Sequence, residues 1–399
     1  MHSKKITIPY ESLLIVQMVI YIFSYNFHSL WLICDLIIGL NFLIVIQKRL
    51  TKTYSITFII LLILSVYLVY RQITDGFHFI SILSFWDTYK HIFLFVFSYY
   101  LMKEISIERK ETFIKRIYIL TTIAFFIQFF VVLIQQKIGL HFDNVAGTLG
   151  DGSTHTLAYF SIFYIVFLLT HNKSVFLTII VIILSMIINY YAENIGFYLL
   201  LGISLFYVLG SKIGTRNMVL ITILASSLFI IKGLKGEFAE KSVARIGKFS
   251  VTDSYNGARN LRPERGILMG YAVYLGGLWG KGLGAYSEIY GKEGWEFYRL
   301  MNDQICISEA THLISEIGIV GLIVTIILYI TLIIKGIKDN KIRMYGISLF
   351  VLGMFYNRFL IDERIFFFFL LTLIIWSLSD PKNKENINYV ENSNTSHIL

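Results

Sequence analysis

The sequence predicts an all-α fold: a polytopic bundle of about twelve transmembrane helices carrying one large, partly helical extracytoplasmic loop. Three observations predict it. The chain is 56% apolar and only 15% charged, which is too apolar for a soluble domain. Its apolar runs repeatedly reach the roughly 17–25 residues that cross a bilayer. Those runs are continuous, as from Phe58 to Leu68, where the strands of a barrel would alternate.

In chain order the runs centre on residues 12–27, 29–47, 54–70, 87–102, 116–136, 156–170, 174–190, 195–209, 216–232, 312–335, 343–359 and 364–379. A backbone in hydrocarbon must satisfy its own hydrogen bonds, so each run is expected as a helix. Only three prolines occur, Pro9, Pro263 and Pro381, and none lies inside a run. No proline kink is therefore expected. Four regions follow: a bundle over 1–232, a large loop over 233–311, a second group of spans over 312–379, and an Asn- and Ser-rich tail over 380–399 expected to be disordered.

Orientation follows from Lys and Arg in alternate loops. One set of loops is dense in them, with Lys103, Arg109, Lys110, Lys115 and Arg116 in one and Lys335, Lys338, Lys341 and Arg343 in another. The intervening short loops hold isolated ones, Arg71, Lys90, Lys137, Arg358 and Arg364. Both termini are thus expected in the cytoplasm and the loop over 233–311 outside. Lys4 and Lys5 precede the first run without a small-residue cleavage site after it, so that run is expected to be retained as a span.

The net charge of +9 does not indicate a nucleic-acid partner. The excess sits in the cytoplasmic loops, where topology and anionic headgroups call for it, while the long loop is near neutral. Membrane lipids are the expected surroundings. Cys34 lies in a run and Cys306 in the long loop, and no disulfide follows from their positions.

Soluble-enzyme fingerprints are missing. Gly280-Lys281-Gly282-Leu283-Gly284 is glycine-rich but lacks the Walker spacing and its Lys-Ser/Thr. The histidines are scattered without HExxH or paired Cys/His spacing, so no metal site and no cofactor are expected.

The long loop holds the candidate chemistry. Arg259, Arg262 and Arg265 are spaced by three around Pro263 and precede an apolar stretch, Gly266 to Trp279, long enough for a helix at the membrane surface. The planar fork of arginine grips phosphate oxygens, so a clustered set suits a pyrophosphate; contact with headgroups or with Glu264 is the plain alternative. His312 opens the tenth run, with Glu309 and Glu316 within reach on a helix. An ionisable group at the mouth of a bundle is costly unless paired or functional, and imidazole suits proton removal from a hydroxyl near neutral pH. A histidine that only solvates the helix end is the plain alternative.

Other outward segments add polar groups. Gly147 to His155 is a turn-rich loop that adds His155, and Tyr190 to Asn194 is a short turn. Arg358 and Arg364 flank Asp362 and Glu363; pairing with these acids is favoured for both, with Arg358 kept as a substrate-binding candidate. Tyr271, Tyr274, Trp279, Tyr286, Tyr290, Trp295 and Tyr298 suit stacking on sugar faces and interfacial anchoring about equally.

In these residues the chain resembles the Wzy-type polymerases of O-antigen and capsular polysaccharide, relatives of the O-antigen ligases. The shared order is Arg265, an apolar helix, Gly282-Leu283-Gly284, a polar stretch, and then Glu316-Ile317-Gly318-Ile319-Val320-Gly321-Leu322 opening a span; Gly147 to Ala158 is similar to the family's turn before a middle helix. The resemblance implies an inverting glycosyltransferase at the outer face of a bacterial inner membrane. It would join oligosaccharide repeat units carried on undecaprenyl pyrophosphate, with no metal or nucleotide. Arg265 with Arg259 or Arg262 would hold the leaving pyrophosphate, and His312 or Glu309 would deprotonate the attacking hydroxyl. A chain-length regulator and a flippase are the implied protein partners. The ligase pattern has a His-Asn pair where this chain has Ile307-Ser308, which favours polymerase over ligase. A flippase or other transporter is the alternative of another class; it would show charged or broken helices and two pseudo-repeated halves.

Overall fold

The computed structural model describes residues 10–23, 31–47, 58–59, 61–62, 65–66, 85–96, 105–140, 144–150, 153–171, 174–213, 265–283, 308–356, 359–360 and 362–379. Among the described residues every regular element is helical. The helices are α1 (Tyr10–Phe23), α2 (Trp31–Gln47), α3 (85–96), α4 (Ile107–Lys137), α5 (Thr154–Thr170), α6 (Val175–Tyr191), α7 (Ile195–Ile213), α8 (Arg265–Gly276), α9 (Glu309–Gly336), α10 (Asn340–Tyr356) and α11 (Glu363–Ser379), with a single 3-10 turn at Gly147–Leu149. Ten of these helices coincide with the apolar runs expected at their positions, and α8 falls in the apolar stretch after Arg265. The run at 216–232 and most of that at 54–70 lie outside the described residues.

Helix ends follow capping residues. Ser174 accepts the Leu177 N–H at 3.4 Å and starts α6, and Asp339 accepts the N–H groups of Lys341 and Ile342 at 2.7 and 3.0 Å to start α10. On α4 the helix extends beyond its apolar run through Glu108, Arg109, Lys110 and Glu111, all able helix formers. There Arg109 grips the Glu11 carboxylate of α1 with two nitrogens, at 2.8 and 3.1 Å.

α5 and α11 form the centre. Every residue from Thr156 to Leu168 is buried, and so is every residue from Glu363 to Trp376. A helix buried on all sides needs apolar residues all round, which these runs supply. They meet through Phe368, whose ring lies 5.2 Å from Phe160 and 6.1 Å from Phe163. α7 and α10 meet through Ser204 and Tyr345, whose hydroxyls are 2.9 Å apart, and the Tyr345 ring lies 5.0 Å from Trp376 of α11.

The outer helices are patterned in the opposite sense to a soluble protein. α4 buries Thr121 and Gln128 while exposing Ile119, Ile123, Ile127, Phe130 and Ile134. α6 buries Ser185 and Asn189 while exposing Val175, Phe176, Ile179 and Ile183. Among the described residues two helices, α4 and α9, are long and apolar enough to cross a membrane. Buried hydroxyls bond within their own helices, as Ser161 does to the Leu157 carbonyl at 2.8 Å and Thr372 to that of Phe368 at 2.7 Å.

α9 is interrupted near its start. Gly318 has φ 74 and ψ 179, a backbone region open essentially to glycine alone. The groups freed by the break are met by the segment leaving α8. Lys281 and Gly282 donate their N–H groups to the carbonyls of Ser315 and Glu316 at 3.2 and 2.8 Å, and Ile319 and Val320 donate to those of Gly277 and Leu278 at 3.2 and 3.1 Å. So close a crossing tolerates no side chain: a methyl group on Gly318 would overlap the Leu278 carbonyl, and one on Gly280 would overlap that of Glu316. The glycine-rich stretch that fails as a phosphate loop is thus a backbone dock for a broken helix.

Candidate functional site

Ser308 begins the site. Its hydroxyl accepts the Thr311 N–H at 3.2 Å and lies 2.8 Å from the Thr311 hydroxyl, which fixes the helix start at Glu309. Helical spacing then sets Glu309, His312 and Glu316 on one face, three and four residues apart. His312 Nδ1 is buried and lies 3.7 Å from Glu309 Oε1, and Nε2 lies 3.3 Å from Glu316 Oε1. The two carboxylates are buried, at 0% and 4% side-chain exposure, whereas the imidazole keeps 18%. Of the three, the histidine is the group a solute can approach.

The turn between α10 and α11 braces this cluster. Leu360 donates its N–H to Glu309 Oε2 at 2.9 Å, and its carbonyl accepts from His91 Nε2 of α3. One residue before His91, the ammonium of Lys90 meets Asp35 at 3.1 Å, Asp87 at 2.9 Å and, closest, Glu363 at the head of α11. Tyr21 of α1 donates to the other oxygen of Glu363 at 2.8 Å. Lys90 is 1% exposed, so an ammonium occupies the centre of an acidic pocket. The isolated basic residue that the sequence suggested for a short outer loop is a buried helical residue.

Arg364 completes the turn. It pairs with Asp362 through Nε at 3.0 Å and reaches the Leu149 carbonyl at 2.7 Å and the Ser153 hydroxyl at 3.0 Å. Thr156 donates to the second oxygen of Asp362 at 2.9 Å. Burial alone would raise the Asp362 carboxyl; the charge and hydrogen bonds of Arg364, with the Thr156 hydroxyl, outweigh it and hold the group below the ordinary carboxylate value. Arg364 is spent on structure, as the neighbouring acids foretold.

The other candidates separate. His155 is half-buried near the start of α5, its ring edge-on to Tyr356 at 5.7 Å. Arg265 is the first residue of α8, about 16 Å along that helix from Gly276 at the crossing with α9. Arg259, Arg262 and Arg358 lie outside the described residues. Among the described residues no group of three or more His, Cys, Asp or Glu side chains is arranged to hold a metal ion.

What sequence reasoning missed is the brace. Asp35 is a charge within one apolar run, and Lys90 is the opposite charge at the edge of another. A charge in such a setting needs a partner, and that rule applied to both at once would have paired them. Comparison with protein-family models, curated proteins and solved structures found no significant match to this chain.

Proposed function

We propose that the chain is a multi-pass bacterial inner-membrane polymerase, with about twelve spans and both termini cytoplasmic. It joins oligosaccharide repeat units linked to undecaprenyl pyrophosphate into O-antigen or capsular polysaccharide at the outer face. The single observation that carries this reading is the Glu309–His312–Glu316 cluster beside the break in α9. The segment that leaves the arginine-headed helix α8 docks on that same break. The acid–base groups on α9 and the helix that Arg265 heads are thereby packed together, with Arg265 at the end of α8 about 16 Å from the crossing. The apolar exteriors of α4 and α6, with Gln128 and Asn189 turned inward, support a lipid setting.

In the proposed step the acceptor sugar hydroxyl loses its proton to the cluster, with His312 or Glu309 as the base; Glu309 Oε1 faces Nδ1 at 3.7 Å and Glu316 Oε1 faces Nε2 at 3.3 Å. The hydroxyl oxygen attacks the anomeric carbon of the donor, the bond to the lipid pyrophosphate breaks, and the leaving pyrophosphate, which takes the electron pair of that bond and so gains one negative charge, gathers on Arg265 with Arg259 or Arg262.

A transporter of lipid-linked oligosaccharide is the second reading. It is favoured by the broken helix α9 and by the buried Lys90 ion cluster, features common where helices line a pathway. Gel analysis of surface and lipid-linked glycans in a strain lacking this gene separates the two. A single repeat unit in place of the ladder, reversed on complementation, is the polymerase result. Repeat units confined to the cytoplasmic face indicate the transporter, and full-length polymer left on the lipid carrier indicates a ligase.

A further inference from the structure

His91 is fully buried on α3 and is not among the residues assigned to the reaction. Its ring packs 4.7 Å from Phe366 of α11, and its Nε2–H donates to the carbonyl of Leu360. The N–H of that same Leu360 is the donor that holds Glu309 Oε2 at 2.9 Å. Glu309 in turn faces His312 Nδ1 at 3.7 Å. The chain of contact runs from His91 through one residue of backbone to the base.

The turn that relays this contact has little freedom. Phe359 before it is fully buried against Tyr159, Phe350 and Phe369, with ring separations of 5.8, 5.7 and 5.1 Å. Glu363 after it is clamped by Lys90, the neighbour of His91. α3 therefore holds the turn at two points, Leu360 and Glu363. Only the first of these is linked directly to Glu309.

We propose that His91 is a positioning residue for the Glu309–His312 pair, acting through the Leu360 backbone; the proposal rests on the polymerase reading for the reaction it serves. Without the Nε2 donor, the buried Leu360 carbonyl is left to find another donor; its N–H lies in the preceding peptide plane and is displaced as the Leu360 Cα, which joins the two planes, shifts with the turn. Glu309 then loses the bond that aims its other oxygen, Oε1, at the imidazole. Misplacement of a base by about 1 Å costs on the order of 100-fold in rate.

The test uses the full-length protein in lipid vesicles, supplied with lipid-linked oligosaccharide. His91→Leu removes the donor, and His91→Gln restores an N–H at a similar reach. The expected result is kcat lower by about 100-fold in His91→Leu with KM little changed, and recovery to within about tenfold in His91→Gln. A readout independent of turnover is the rate at which diethyl pyrocarbonate modifies His312, followed by peptide mass spectrometry. It should change by about threefold or more in His91→Leu and return to the wild-type rate in His91→Gln. Wild-type kcat and wild-type modification in a folded His91→Leu protein would overturn the proposal. If the wild-type protein makes no polymer while His312 reactivity still follows residue 91, the polymerase reading falls and the positioning role stands. Should His91→Leu not fold, His91→Asn, polar but too short to reach the carbonyl, makes the same comparison.

Discussion

Gly318→Ala probes the crossing of the glycine-rich segment with α9. Two routes are open to the variant, and they cost about the same. If the break is kept, alanine must adopt φ 74 and ψ 179, which costs about 1–3 kcal/mol before the overlap with the Leu278 carbonyl is counted. If the crossing opens, its four backbone hydrogen bonds are lost at about 1 kcal/mol each, offset by about 1 kcal/mol for alanine over glycine in a straightened helix. Either route gives a loss of about 3 kcal/mol. For a cooperative unit of 399 residues this corresponds to a fall of about 4 °C in Tm. The assay is thermal unfolding of purified protein in detergent, with Gly202→Ala as control. Gly202 lies in α7 with open space where a methyl group would go, so that substitution should raise stability by about 1 kcal/mol or less. A Gly318→Ala protein that melts at or above the wild-type temperature would refute the reasoning.

Further outcomes follow from the same contacts. Because Asp362 is held below the ordinary carboxylate value, its contribution is complete above that value, about pH 4, and declines as pH falls toward the folded value. Asp362→Asn should therefore flatten the loss of stability below about pH 4 in unfolding titrations. Lys90→Met leaves Asp35 and Glu363 without their cation and should cost about 3–5 kcal/mol, part of which Glu363→Gln in the same protein restores; a double-mutant cycle measures the coupling. His312→Ala and Glu309→Ala should each lower polymer formation by about 100-fold or more at unchanged membrane abundance. Retained activity in His312→Ala with loss in Glu309→Ala would move the base to Glu309. Arg265→Ala should abolish polymer, and a normal ladder from it would remove the pyrophosphate role.

Helix positions were legible because apolar runs are local: the run at 156–170 became Thr154–Thr170 and that at 364–379 became Glu363–Ser379. Spacing on one helix was legible too, and it assembled Glu309, His312 and Glu316. Contacts across the chain were not. Nothing near Lys90 reveals that its closest partner is Glu363, and nothing near Gly280 reveals a broken helix to fill. A glycine-rich stretch is compatible with phosphate binding, turning or close backbone approach alike. Only the neighbour decides, and here it is the Ser315–Val320 segment.

The enclosed position of α11 has a consequence for synthesis. Glu363 follows Lys90 by 273 residues, which at ribosomal rates is a wait of roughly 15–55 s. A cation cannot sit bare in an apolar setting for that time at low cost. Asp87 and Asp35, both translated before Lys90, are within its reach throughout. By this reasoning they would serve the nascent chain as an interim partner until Glu363 arrives with α11 to complete the set.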